Sequence, residues 1–159
     1  MPVTGVQTCA LPICMGFAEK GSFLATAYHN QEPCFAQFLA TEVVKEGRTF
    51  DAVVSPPSSR NDIDAYRNAI LTLAPARVLS GFTRKGKVKA GDSGSSLADM
   101  IDEFNYAPDG QEREILSLLI VDEIIAEGKT AAALLEHLKR HGLPNEAEVI
   151  LAVWTVVKH

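Results

Sequence analysis

The sequence predicts an α/β protein with a mostly parallel central sheet and helices on both faces. Helical and extended patterns alternate along the chain. The extended segments are apolar throughout, as expected for strands that are buried on both faces of a parallel sheet. The clearest strand is centred on Leu118 to Val121, and the clearest helix covers Lys129 to His141. In sheets of this kind, ligands bind at the carboxyl ends of the strands.

The first elements are a helix and a short strand. Apolar side chains recur at helical spacing from Pro33 to Glu46, and Gly47 supplies a helix stop. Phe50 to Ser55 is apolar enough for a buried strand. That strand must end at Pro56-Pro57, because proline has no N–H for a strand ladder.

Three segments follow before the centre of the chain. Asp62 or Asp64 can cap a helix that runs to about Leu73. Arg77 to Gly81 has the composition of a short strand. The segment Phe82 to Ser96 is rich in Gly, Lys and Ser, which predicts a mobile loop or a weak hairpin.

The carboxyl-terminal half contains the strongest patterns. A helix is predicted over Ser96 to Phe104, with Leu97, Met100, Ile101 and Phe104 on one face, and a turn follows at Pro108 to Gly110. A strand is predicted over Ile115 to Val121. The next helix covers Lys129 to His141, with Ala132, Leu134, Leu135 and Leu138 on its apolar face, and a last strand covers Ala147 to Val157. Gly142 and Pro144 end the last helix.

Composition excludes several classes of protein. The 159 residues, 47% of them apolar, are enough for one domain with its own core. A net charge of −5 excludes a generally basic, nucleic-acid-coating protein. No apolar run approaches the roughly 20 residues of a spanning helix. The three cysteines, Cys9, Cys14 and Cys34, are an odd number and lack the spacing of metal ligands, so the sequence supports neither a disulfide framework nor a zinc site. We therefore expect a cytoplasmic protein that does not interact with membranes.

The amino-terminal segment Met1 to Ile13 is uncharged and aperiodic. Its run VTGVQTCALPI resembles the in-frame translation of a sequencing-library adapter, and a native disordered tail is the alternative. In either case we expect residues 1–13 to contribute nothing to the fold. We expect residues 14–159 to form a single domain.

A pair of acidic residues follows the central strand in the sequence LLIVDEIIAEGKT. The strand places Asp122 and Glu123 at its tip, and a loop containing Gly128 then leads into a helix. Free N–H groups at that helix start suit a phosphate, and the two carboxylates suit ribose hydroxyls or a hydrated Mg²⁺. An acidic strand end followed by an ordinary helix cap is the alternative. A nucleotide P-loop is excluded, because Glu123 stands where that motif needs glycine.

Two further segments suit anions. The loop after the first strand reads Ser55-Pro56-Pro57-Ser58-Ser59-Arg60, and its hydroxyls, amides and guanidinium suit an anion, although a proline-rich turn that caps a helix is the alternative. The peptide bond before Pro56 or before Pro57 can be cis. The segment FTRKGKVK clusters Arg84, Lys85, Lys87 and Lys89 in an acidic protein. A solvated basic turn or an RNA contact is the alternative.

The acidic pair, the apolar pair Ile124-Ile125 and the loop with Gly128 and Thr130 resemble the phosphoribosyl-pyrophosphate signature of type I phosphoribosyltransferases. Ala126 and Glu127 occupy positions where that family has small hydroxyl residues. Tyr28-His29-Asn30 resembles the entry segment of the competence-associated members. The resemblance extends from Phe50 to Trp154.

The resemblance implies transfer of phosphoribose from phosphoribosyl pyrophosphate to a nitrogen nucleophile such as a nucleobase, with release of pyrophosphate. Asp122 and Glu123 would hold the ribose, and Ala126, Glu127, Gly128, Lys129 and Thr130 the 5′-phosphate. Pro57, Ser58, Ser59 and Arg60 would hold pyrophosphate, and Arg84 and Lys85 would close over it.

The same resemblance implies Mg²⁺ carried by the substrate, near Asp122 and Glu123, without a dedicated set of protein ligands. The acidic Glu127 keeps a second interpretation open, which is a regulatory or nucleotide-sensing protein of the same fold without turnover. A homodimer is compatible with either function.

Overall fold

The computed structural model describes residues 40–57, 62–88, 94–125 and 127–156. The strands in these ranges are β1 (Ala52–Val54), β2 (Arg77–Leu79), β3 (Phe82–Arg84), β4 (Phe104–Tyr106), β5 (Ser117–Ile125) and β6 (Glu148–Val156). The helices are α1 (Asp62–Leu73), α2 (Leu97–Glu103) and α3 (Lys129–Arg140). Residues 40–43 are also helical, and Lys45–Gly47 and Glu112–Glu114 form 3₁₀ turns.

Four strands form a parallel sheet in the order β2-β1-β5-β6. Val53 of β1 is in register with Val78 of β2 on one side and with Leu119 of β5 on the other. On its far side, Leu119 is in register with Ile150 of β6. The predicted α/β class and its parallel central sheet are therefore confirmed.

Helices cover both faces of this sheet, as predicted. Val53, Leu119 and Ile150 pack with α1 and the helical residues 40–43 in one apolar cluster. Ala52, Val54, Leu118 and Ile120 pack with α2 and α3 in a second cluster. Because successive strand residues point to opposite faces, a strand covered on both sides must be apolar at every position. This explains the uninterrupted apolar run in β5.

The predicted loop or hairpin over Phe82 to Ser96 is only partly correct. β3 pairs antiparallel with β4, and α2 lies between the two strands in sequence. The pairing is held by aromatic contacts, because the Phe82 ring stacks on Tyr106 at 4.3 Å and meets Phe104 edge-on at 6.4 Å. A three-residue strand whose partner follows a helix has no local turn signature, so the sequence pattern does not reveal it.

Several boundaries also differ from prediction. α1 begins at Asp62, so Asp62 and Asp64 lie within its first turn rather than before it. Leu97 was expected on the buried face of α2, but it is 43% exposed because it directly follows the cap residue Ser96. β5 continues to Ile125, four residues past the predicted Val121.

α3 agrees closely with its prediction. It runs from Lys129 to Arg140, and Gly142 follows it with φ of 109°, the left-handed conformation expected of a helix stop. The apolar face is rotated slightly from the prediction. Its buried residues are Ala131, Ala133, Leu134 and Leu138, whereas Ala132 and Leu135 are only partly buried. No helix within the described ranges is both long and apolar enough to cross a membrane.

Candidate functional site

Two of the predicted loops leave the sheet at neighbouring positions. β1 and β5 are hydrogen-bonded neighbours, and both loops follow the carboxyl ends of these strands. β1 ends at Val54, which is in register with Ile120 of β5. Asp122 lies two residues beyond Ile120, at the level where the loop after β1 begins. The topology therefore brings Asp122 and the loop that starts at Ser55 to one edge of the sheet.

The acidic pair lies within β5 rather than at its tip. The strand continues through Glu123 to Ile125, and Asp122 is in register with Val153 of β6. The Asp122 side chain is buried, at 8% exposure. The sequence pattern predicts an earlier strand end, because an acidic pair is uncommon inside a buried strand.

The loop after β5 contains a glycine in the left-handed conformation. Gly128 is the N-cap of α3, with φ of 71° and ψ of 6°. A Cβ atom added there would meet no atom within 4 Å, so glycine is favoured by the backbone conformation and not by lack of space. The first turn of α3 contains no acidic residue. Thr130 lies partly buried in that turn, and Ala126 falls outside the described residues.

Glu127 and Lys129 flank Gly128 and form an ion pair. The Lys129 ammonium also donates a hydrogen bond to the backbone carbonyl of Ser95 at 2.7 Å. It thereby joins this loop to the segment that precedes α2. The negative charge that Glu127 introduces therefore has a cation beside it.

The loop after β1 is described through Pro57, and the peptide bonds that precede Pro56 and Pro57 are trans. Ser58, Ser59 and Arg60 lie outside the described residues. Ser55 accepts a hydrogen bond on its hydroxyl oxygen from Arg67 Nη1 at 3.1 Å. The sequence indicates Ser55 as part of this loop but not its contact with Arg67, because Arg67 lies 12 positions downstream on α1 and carries no motif that links it to the loop.

The basic segment is bound to α2. Arg84 Nε donates to the Glu103 carboxylate at 3.1 Å, and the Lys85 ammonium lies 2.9 Å from an Asp102 oxygen. Lys87 also lies within ion-pair distance of Asp102, at 3.7 Å. Lys89 falls outside the described residues. The structure thus places Arg84 and Lys85 against carboxylates that nothing in the sequence spacing pairs with them.

Glu103 is fully buried and is the centre of this arrangement. The backbone N–H groups of Gly86, Lys87 and Val88 all donate to its carboxylate, at 2.9 to 3.1 Å. Burial alone raises the pKa of Glu103, but these donors together with Arg84 outweigh it and leave the pKa below its ordinary value. Glu103 is therefore a charged anchor for the segment after β3.

Within the described ranges, no group of three or more His, Cys, Asp or Glu side chains is arranged to hold a metal ion. Asp122 places a carboxylate at the carboxyl-terminal edge of the sheet, and carboxylate oxygens are ligands that Mg²⁺ binds.

No protein-family model matches the chain, and no curated protein matches it. Among solved structures that do match is the allosteric regulatory enzyme of purine biosynthesis. That match covers 79% of this chain and 25% of the other, at 19% sequence identity and a TM-score of 0.45. The chain thus spans about a quarter of the length of that enzyme.

The architecture itself is consistent with the type I phosphoribosyltransferase fold that the sequence predicts. A parallel sheet carries helices on both faces, and the two predicted phosphate loops follow adjacent strands, β1 and β5.

Proposed function

We propose that the protein is a phosphoribosyltransferase, which transfers phosphoribose from phosphoribosyl pyrophosphate to a nitrogen nucleophile and releases pyrophosphate. One observation carries the proposal. Two anion-suited loops follow neighbouring parallel strands at one edge of the sheet, and the buried Asp122 lies at the same level. A ligand with phosphates at both ends of a sugar fits two such loops better than a ligand with a single anion.

The loop at residues 126–130 would hold the 5′-phosphate. The start of α3 offers backbone N–H donors and the positive end of the helix dipole. Gly128 lets the backbone approach the phosphate, and the Thr130 hydroxyl adds a donor. Lys129 supplies positive charge beside Glu127.

Asp122 and Glu123 would accept hydrogen bonds from the ribose hydroxyls. A Mg²⁺ ion bound to the pyrophosphate would neutralise charge on the leaving group and retain most of its water ligands. Asp122 fits such an ion as an outer partner.

Pyrophosphate would lie on Pro57, Ser58, Ser59 and Arg60, where donors stabilise the negative charge that develops as the bond to the sugar breaks. Of the two basic residues expected to close over pyrophosphate, Lys85 suits that role better than Arg84. Its partner Asp102 is 67% exposed, and an exposed ion pair is weak enough to exchange for a phosphate. Arg84 is bound to the fully buried Glu103, which holds it in place.

The test is binding of phosphoribosyl pyrophosphate by calorimetry with Mg²⁺ present. We expect Asp122→Asn combined with Glu123→Gln to abolish binding, because the ribose hydroxyls lose both charged acceptors. The matched control is Glu114→Gln combined with Glu146→Gln, which removes two exposed carboxylates from the opposite end of the sheet. Equal binding by the site variant and the control would remove the proposal.

A sensor without turnover is the second candidate, and the position of Glu127 within the loop favours it. A single-turnover assay with pooled nucleobases separates the two functions. Release of pyrophosphate supports the enzyme, and ligand binding without release supports the sensor. The acceptor, a homodimeric state and a cytoplasmic location remain predictions.

A further inference from the structure

Arg67 connects α1 to the first residue after β1. Its Nη1 donates to the Ser55 hydroxyl oxygen at 3.1 Å. Its Nη2 lies 2.9 Å from the Asp64 carboxylate, one helical turn earlier on α1. The guanidinium is therefore held in one orientation by its own helix while it contacts the loop that follows β1.

This contact determines what the Ser55 hydroxyl can do. A serine hydroxyl has one proton to donate and two lone pairs that accept. Because Arg67 occupies a lone pair, the Ser55 proton is left for a different acceptor. A positively charged donor on the oxygen also makes that proton a stronger donor. Ser55 itself is only partly buried.

The position of Arg67 leaves one of its own groups unpaired among the described residues. Its Nε is buried and has no hydrogen-bond acceptor there. An unpaired buried donor is uncommon and costs free energy.

We propose that Ser55 is a further pyrophosphate-binding residue, which donates its hydroxyl proton to an oxygen of the leaving group, and that Arg67 is its positioning residue. This inference rests on the proposed function and deepens it. It extends the pyrophosphate loop back to the last residue before Pro56, so that the loop begins directly at the end of β1.

A purely structural role for Arg67, as a link between α1 and β1, makes a different prediction. Loss of such a link would disturb the whole sheet edge, and both phosphate sites would weaken together. The proposed role weakens only the pyrophosphate end. Separate measurements with inorganic pyrophosphate and with ribose 5-phosphate therefore distinguish the two roles.

The experiment uses the full chain with Mg²⁺ and calorimetry. We expect Ser55→Ala and Arg67→Met each to weaken pyrophosphate binding about tenfold, the range for one hydrogen bond to a charged group. The double variant should lose little more than either single variant, because Arg67 is proposed to act only through the Ser55 hydroxyl. Arg67→Lys should restore part of the affinity. Ribose 5-phosphate binding should stay within about twofold in every variant. The matched control is Asn68→Ala, the next and exposed residue of α1.

Three results would overturn the inference alone, with the wild-type protein still binding phosphoribosyl pyrophosphate. These are unchanged pyrophosphate affinity, equal losses for both ligands, and additive losses in the double variant. If Arg67→Met fails to fold, the pyrophosphate affinities of Ser55→Ala and Arg67→Lys decide whether the inference holds. A wild-type protein that binds neither ligand would overturn the proposed function, and this inference with it.

Discussion

Glu127 is the residue of the proposed phosphate loop whose charge opposes the proposed ligand. A carboxylate near a helix N-terminus interacts favourably with the helix dipole, but it then competes with an incoming phosphate for that position. Lys129 binds both Glu127 and the Ser95 carbonyl, so its ammonium already has two oxygen partners. A 5′-phosphate at this loop would have to share Lys129 with them. If the loop binds a 5′-phosphate as proposed, Glu127 would lower the affinity for it.

Replacing Glu127 should therefore tighten binding of ribose 5-phosphate. We expect Glu127→Thr to increase the affinity about tenfold at low salt, because the like charge next to the dianion is removed. The gain in affinity should shrink as the salt concentration rises, because Glu127 and Lys129 are partly exposed and salt screens their charges. Calorimetry at two salt concentrations measures both effects. Glu136→Gln, which lies on α3 and pairs with Arg140, is the control. An unchanged or weaker affinity of Glu127→Thr would contradict this account of the loop.

At the scale of elements, the small sheet and α2 form one unit around Glu103. Its carboxylate accepts from three successive backbone N–H groups after β3, and Arg84 adds a fourth donor. Arg84 also donates to the Val88 carbonyl at 2.8 Å. The turn after β3 is therefore fixed by a helix residue, and the basic side chains on it are held next to α2.

This unit should make stability depend on acid pH. The pKa of Glu103 is lowered in the folded protein, so ionised Glu103 favours folding above the ordinary carboxyl pKa of about 4.3, and this contribution is lost as pH falls through the folded pKa. Glu103→Gln should melt at a lower temperature than wild type near pH 7, and the difference should narrow below about pH 4. Calorimetric melting of wild type and Glu103→Gln from about pH 4 to pH 7 measures this difference in melting temperature, with Glu114→Gln as the control. A constant difference at all pH values would exclude the charge as its cause.

The elements that sequence analysis predicted are those whose own residues determine them. β5 and α3 have long apolar patterns, and Gly128 and Gly142 mark the ends of α3. The missed features depend on residues that are distant in sequence. β3 and β4 pair across a helix, Glu103 is a charged helix residue that normally indicates solvent exposure, and Ser55 meets Arg67 only after folding. The candidate loops could be predicted as motifs, but their internal contacts could not.

For the whole molecule, the candidate site lies at the centre of the fold. Its two loops follow β1 and β5, the two inner strands of the sheet, and each of these strands contributes to both apolar clusters. A ligand bound across these loops would connect segments that are far apart in sequence. It would bind only the folded chain, so binding and folding must be linked.

Phosphoribosyl pyrophosphate with Mg²⁺ should therefore stabilise the protein against heat. At a ligand concentration of 100 times Kd the expected gain is about 2.7 kcal/mol, which corresponds to a rise of several degrees in Tm. Pyrophosphate or ribose 5-phosphate alone should give smaller shifts at equal concentration, because each occupies one loop. Sulfate at matched ionic strength is the control. Equal shifts with sulfate would show a general salt effect instead of a site.

The unequal lengths of β1 and β5 have a consequence for dynamics. Leu118 to Ile120 have a strand on each side, whereas from Asp122 to Ile125 the described strands pair with β5 only on the β6 side. Amide hydrogens along this one strand should therefore exchange with solvent at two rates, slowly in the first part and faster in the second. The faster part contains the acidic pair, so the proposed site includes the part of β5 that should open more readily.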